Sequence, residues 1–187
     1  MKQNESMAMY ILRLAGTLLL ICAVTAGLLA GVNAVTEPII AELNAAKTQE
    51  AIAKVLPGGF DTEITEFTDA TGLVSKIYKG ENGYAVEVGP GGFDNTITMM
   101  VGIDNEGKVL GISIVSHTET AGLGAVAAAG TPAGISFRDQ FVGMSAANNI
   151  LVEKDKGEVV AITGATITSR AICVGVNAAL DVVAGLG

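Results

Sequence analysis

Two threonines bracket a glycine and an alanine near the end of the chain: Thr163, Gly164, Ala165 and Thr166. Before them runs a β-branched stretch (Val159, Val160, Ile162), and after them an apolar periodicity that predicts a helix from about 168 to 184. A strand-to-helix junction of this kind puts the Thr166 hydroxyl on the exposed shoulder of a tight turn. Gly164 and Ala165 leave room for a bulky group to approach the backbone. The amides of the helix's first turn would face an anion placed there. The chemistry this suggests is the holding of a phosphate-like anion beside the Thr166 hydroxyl. The plainer reading is an ordinary turn in which Thr168 or Ser169 caps the helix.

The four residues resemble the Ser/Thr-Gly-Ala-Thr flavinylation motif of a small membrane-protein family. To it belong the G subunit of the Rnf electron-transport complex and the C subunit of the sodium-pumping NADH:quinone reductase. A second stretch, His117-Thr118-Glu119-Thr120-Ala121-Gly122-Leu123-Gly124, resembles that family's His-x-Glu-Thr-Pro-Gly-Leu-Gly signature, with Ala121 where proline is usual. Gly83-Tyr84, Gly91-Gly92 and the run 99–103 resemble its Gly-Tyr and Gly-Gly-x-Ile segments, so the likeness covers the whole chain. One departure is Val160, which stands where the family often has an acid three positions before the motif; the nearest acid is Glu158.

The resemblance implies FMN joined covalently through its phosphate to Thr166, with Thr163, Gly164, Ala165 and Ser169 around the linkage. Glu119, Thr118 and Thr120 would offer polar groups and amides to the ring or to the phosphate side, Leu123 and Gly124 would meet the isoalloxazine, and His117, the sole histidine, would take a positioning role beside it. Gly122 and Gly124 would let backbone lie against a flat ring, Leu123 would give apolar contact, and the polar groups would tune the flavin. Arg170 reads as a solvated helix-face charge in preference to a phosphate partner. The resemblance further implies an electron carrier of an Rnf-type ferredoxin:NAD+ oxidoreductase that translocates Na+ or H+. Its partners would be multi-helix membrane subunits and iron–sulfur and flavin subunits, with a flavin transferase using FAD for maturation. The length and hydroxyl pattern are nearer the Rnf member of the family than the quinone reductase member. Two rival readings are a tethered FMN domain serving an extracellular reductase and a flavin-free scaffold module.

The elements that must position these residues begin with an apolar run. No charged residue occurs between Arg13 and Glu37, and about 20 helical residues suffice to cross a bilayer. This gives a cytoplasmic segment 1–13, a transmembrane helix 14–36 and an extracytoplasmic domain 37–187. A cleaved signal peptide is the competing reading, but the run is long for one. The first 13 residues carry Lys2 and Arg13 against Glu5, and the whole chain is at −8, so everything after them is strongly acidic. The basic end stays in the cytoplasm of a prokaryotic cell membrane. An acidic domain without a basic patch excludes nucleic acid as a partner. The two cysteines, Cys22 in the apolar run and Cys173 in the last helix, have neither CxxC spacing nor a histidine nearby. They predict no disulfide and no metal site.

After Glu37-Pro38 a second helix is expected to about residue 56, stopped by Pro57-Gly58-Gly59. Strands are expected at 64–67, 73–78, 84–88, 96–103 and 108–115, with turns at Gly80-Glu81-Asn82-Gly83 and Asp104-Asn105-Glu106-Gly107. Further strands are expected at 150–152 and 158–162, and a helical turn or edge element at 137–141. Antiparallel strands bracketed by helices make the class α+β.

Overall fold

The computed structural model describes residues 2–186. The chain divides into a unit up to Ala46 and a unit from Lys47 onward. The first is part of one helix, α1 (Lys2–Val55). Its apolar stretch has a mean hydropathy of 2.3 and exposes Leu18, Leu19, Ile21, Leu28, Leu29 and Val32. The expected break at Pro38 does not occur: the helix continues through it. Proline removes one backbone hydrogen bond and crowds the preceding turn, and the helix formers that follow it, Glu42, Leu43, Ala45 and Ala46, favour helix. Thr36 and Thr25 bond back to Val32 and Ile21 carbonyls, keeping their hydroxyls satisfied within the helix. Beyond Val55, Pro57 and two left-handed glycines, Gly58 (φ 104°) and Gly59 (φ 79°), end it.

The second unit is built on an antiparallel meander of β1 (Thr62–Ile64), β2 (Val74–Gly80), β3 (Gly83–Val88), β4 (Thr98–Asp104) and β5 (Val109–Ser116), in that spatial order. Gly80 pairs with Gly83, so the β2–β3 turn is two residues long. In the β4–β5 turn the Asp104 carboxylate accepts from Glu106 and Lys108 amides at 2.8 Å each. Successive side chains alternate between faces. Ile77, Val86, Val88, Met99, Val101 and Ile103 face the larger core, where α3 (Thr166–Ala184) packs through Ile172, Val176, Ala179 and Leu180. Each fully buried aliphatic of this kind contributes about 1.5–3 kcal/mol. Tyr78, Ala85 and Met100 point the other way, onto Ala51, Ile52 and Val55 of α1 and onto Leu56 just beyond it. The unit is therefore a helix–sheet–helix sandwich of the expected α+β class.

Among the described residues α3 also has the length and composition to cross a bilayer, but 61% of its apolar window is buried, and it is a core helix. It begins at Thr166, two residues earlier than expected, with Ala165 as N-cap. Neither Thr168 nor Ser169 caps it. The expected element at 137–141 is the end of α2 (Pro132–Asp139), capped by Thr131 and continued by the turn to Phe141. The strands expected at 150–152 and 158–162 are absent, apart from one parallel bridge between Val152 and Val159. The segments are joined through a tight 3-10 turn, Glu153–Asp155, with Lys156 left-handed (φ 65°), which is too short for a ladder. The extended backbone at Val160 is held by a side chain. Gln140 accepts from the Val160 amide at 2.8 Å and donates to its carbonyl at 3.2 Å.

Candidate functional site

The end of β5, the 120–125 loop and the start of α3 meet at one edge of the large core. In the loop, Gly122 takes φ 76°, and the Thr120 carbonyl accepts from Leu123 and Ala125 amides. Facing it, Gly164 takes φ 77° and allows the close return from Ile162 to Ala165, whose amide bonds the Ile162 carbonyl at 2.9 Å. A Cβ on Gly164 would lie 2.9 Å from Leu123 Cδ2, so the two loops touch at that point.

Two clefts lie on either side of this contact. One, of about 310 Å³, is walled by Glu119, Thr120, Leu123 and Gly124 from the loop, by Gly164, Ala165, Thr166, Ile167 and Thr168 from the turn and α3, and by Phe93. The other, of about 650 Å³, is lined by Gly122, Val126, Phe137, Gln140, Val160 and Thr163, among others. The turn thus sends its two threonines to different clefts. Thr166, half-buried at the first position of α3, belongs to the smaller one. That helix start has no side-chain cap, so the amides of its first turn are not served by a capping side chain. An anion at Thr166 would find the positive end of a 19-residue helix.

Of the residues singled out in the sequence, Glu119, Thr120, Leu123, Gly124, Gly164, Ala165 and Thr166 are brought together here, and Thr163 lies in the neighbouring cleft. Three roles change. Ser169 is fully buried: its hydroxyl donates to the Ala165 carbonyl at 3.0 Å and accepts from the Ile162 amide at 3.0 Å. It fastens the turn from behind and does not reach the cleft. Arg170 makes a two-pronged pair with Asp155, Nε at 2.6 Å and Nη2 at 2.7 Å. This turns Arg170 toward the 153–155 turn; the pairing raises its pKa and lowers that of Asp155.

Glu119 is the third. It is only 7% exposed. Its Oε1 accepts from the amides of Phe93 (2.8 Å) and Asp94 (3.3 Å), and its Oε2 accepts from the Thr168 hydroxyl. A buried carboxylate is costly unless its oxygens are satisfied, and these donors satisfy it. The seat also dictates two glycines. A Cβ on Gly92 would collide with Oε1, and one on Gly124 with Oε2 and the Thr168 hydroxyl. The Gly-Gly stretch, the loop and the helix start therefore converge on one carboxylate. His117 is half-buried at the exit of β5, outside the residues that wall the cleft; its Nδ1 is buried with no hydrogen-bond partner among the described residues. Cys173 is buried in the core, where burial pushes its thiol up to about 12. Among the described residues no group of His, Cys, Asp and Glu could hold a metal ion.

Phe93 and Ile167 also wall the cleft, and neither is among the residues that the sequence singled out. Phe93 carried a signal: an aromatic directly after two glycines, in a chain with only 4% aromatics.

Comparison with known proteins decides the family. Residues 92–181 match the FMN-binding domain, and residues 1–55 match the RnfG N-terminal region. The G subunit of the Na(+)-translocating ferredoxin:NAD(+) oxidoreductase complex of Acetobacterium woodii is 34% identical, over 92% of this chain and 91% of that protein. The chain belongs to the Rnf G-subunit family. The G subunit of the ion-translocating oxidoreductase complex of Methanosarcina acetivorans is also 34% identical, over 89% of this chain and 91% of its own. The G subunit of the proton-translocating ferredoxin:NAD(+) oxidoreductase complex of Clostridium ljungdahlii is 33% identical, over 86% and 84%. Like other Rnf G subunits, the chain is an FMN-binding electron-transport subunit of a multi-subunit, ion-translocating oxidoreductase complex, with an N-terminal apolar helix able to enter the membrane.

Proposed function

We propose that this chain carries FMN as a phosphodiester on Thr166 and relays electrons within an Rnf-type ferredoxin:NAD+ oxidoreductase. The observation that carries the proposal is the position of one hydroxyl. Thr166 opens a long helix without a side-chain cap and stands in the wall of a cleft whose volume lies at the lower end of the small-ligand range. Thr163, its neighbour in the motif, opens on the other cleft, while Thr168 and Ser169 spend their hydroxyls on internal bonds.

The residues fit the group. The uncapped amides suit a phosphodiester; Leu123, Ile167 and Phe93 supply apolar walls with Phe93 66% exposed. Bound FMN would supply reversible one- and two-electron chemistry. The chain's own part is to hold it, shield one side and fix its distance from redox partners. Attachment needs a second protein. A transferase would bring FAD; the Thr166 hydroxyl oxygen forms a bond to the FMN phosphorus, its proton leaves, and the pyrophosphate bond breaks to release AMP. This chain is the acceptor and supplies no catalyst to that step.

The relatives guide the rest. The Acetobacterium woodii protein is named for a sodium-translocating complex and the Clostridium ljungdahlii protein for a proton-translocating one, yet both match this chain almost equally. We therefore assign ion choice, Na+ or H+, to multi-helix partner subunits, since one membrane helix offers no path for an ion. With Lys2 and Arg13 on the cytoplasmic side, residues 14–36 cross the membrane and the FMN domain lies outside. Purification through a tag on this chain, in mild detergent from its native membrane, should bring down multi-helix and iron–sulfur subunits and a flavin reducible by ferredoxin or NADH. Recovery with a water-soluble reductase alone would instead favour a tethered domain outside any ion pump. Thr163→Ala should keep its in-gel flavin fluorescence.

A further inference from the structure

We infer that Glu119 is a positioning residue, its carboxylate oxygens spent on the protein: it holds Phe93 as an aromatic wall against the isoalloxazine. The inference rests on the assignment of the flavin to Thr166 and says how that site is shaped.

Phe93 sits at the tip of a loop closed at its base by the Ile97 amide on the Pro90 carbonyl (2.9 Å) and at mid-height by the Gly92 amide on the Asn95 carbonyl (2.8 Å). The base is anchored on α3, where a Cβ on Gly175 would come within 3.0 Å of Pro90 Cγ. The tip has one further tether, Glu119, through the amides of Phe93 and Asp94. The other carboxylate oxygen takes the Thr168 hydroxyl, on the same wall of the cleft as Thr166. The carboxylate is thus a strut between the aromatic tip and the helix that bears the linkage. A large aromatic left 66% exposed beside a cleft, with its backbone fixed by a buried charge, is a surface prepared for a flat partner. Charge-assisted bonds of this kind are the strong ones, which suits a rigid wall.

The test uses the full-length protein made together with a flavin transferase and purified in mild detergent. An indole in contact with excited flavin gives it an electron, which returns on recombination, and the emission is lost; an indole held away does not quench. Phe93→Trp should lose most of its flavin emission in the native state. In denaturant it should match wild type, which shows equal attachment. Adding Glu119→Ala to Phe93→Trp should restore most of the emission. Adding Glu119→Gln should not, because the amide oxygen still accepts from Phe93 and Asp94. Where Glu119→Ala does not fold, Thr168→Val removes one end of the strut, and partial recovery decides the matter. Unchanged native emission in Phe93→Trp with flavin attached would overturn the inference, as would full quenching that survives loss of the carboxylate. Wild-type protein without emission after denaturation would overturn the Thr166 assignment as well, a result distinct from either.

Discussion

The two covered faces of the sheet handle a carboxylate in opposite ways. On the α3 side, Glu119 is buried but receives two amides and a hydroxyl, and it organises a cleft. On the α1 side, Glu87 shares a face with Tyr78 and Met100. Burial pushes its carboxyl above the usual range, with Lys76 only partly offsetting this and Glu63 adding to it. The neighbouring Tyr78 phenol is pushed up to about 12, first by burial and then by Glu87 and Glu63. That side is built for contact: Gly102 lies so close to the Val55 carbonyl that a Cβ there would overlap it. One face spends polar groups on shaping an opening; the other gives stability and bears a charge without recruiting donors for it.

The largest change is expected at the cleft alone. Thr166→Ala should abolish covalent flavin, read as in-gel fluorescence, while circular dichroism and the melting temperature stay near wild type. Next come the two glycines, one for each face. Gly124→Ala and Gly102→Ala should each destabilise by about 1–3 kcal/mol, the usual cost of overpacking, measured by urea unfolding. Only Gly124→Ala should also change the emission or potential of the attached flavin, because only it disturbs Glu119 and Thr168. An equal flavin effect from Gly102→Ala would erase the division of labour. The smallest effect is Glu87→Gln. A carboxyl with a raised folded pKa favours the folded state while protonated, so its contribution is present at low pH and is lost as pH rises through the ordinary carboxylate range to the raised value. The substitution should therefore raise the melting temperature at pH 7 and change it less at pH 4, with no effect on the flavin.

Much of the fold was legible because its signals are local. Alternation at 84–88 and 108–115 and the turn residues around Gly83 and Gly107 specify hairpins, and the periodicity of Ile172, Val176, Ala179 and Leu180 specifies α3. What failed depended on distant partners. The helix persists through Pro38, and residues 158–162 form no strand because Gln140, 20 residues before Val160, supplies the bonds a neighbour strand would have given. At the site, the order Thr-Gly-Ala-Thr was readable, but the seat of Glu119 was not. A glutamate in a glycine-rich loop reads as solvated or ligand-facing. Its burial depends on amides 26 and 25 residues upstream and a hydroxyl 49 residues downstream, which no local pattern announces. Ser169 misled for the same reason: its neighbours in sequence suggested the linkage, and its neighbours in space are Ile162 and Ala165.

The central claim is the attachment of the flavin at residue 166, and mass spectrometry reads it directly. Cleavage after Lys156 and Arg170 releases peptide 157–170, which contains Thr163, Thr166 and Thr168 together. Taken from the native membrane, the peptide should be heavier by one FMN less one water, with the increment confined to fragments that contain Thr166. An unmodified peptide from cells that make the transferase, or an increment localised to Thr163 or Thr168, would contradict the account.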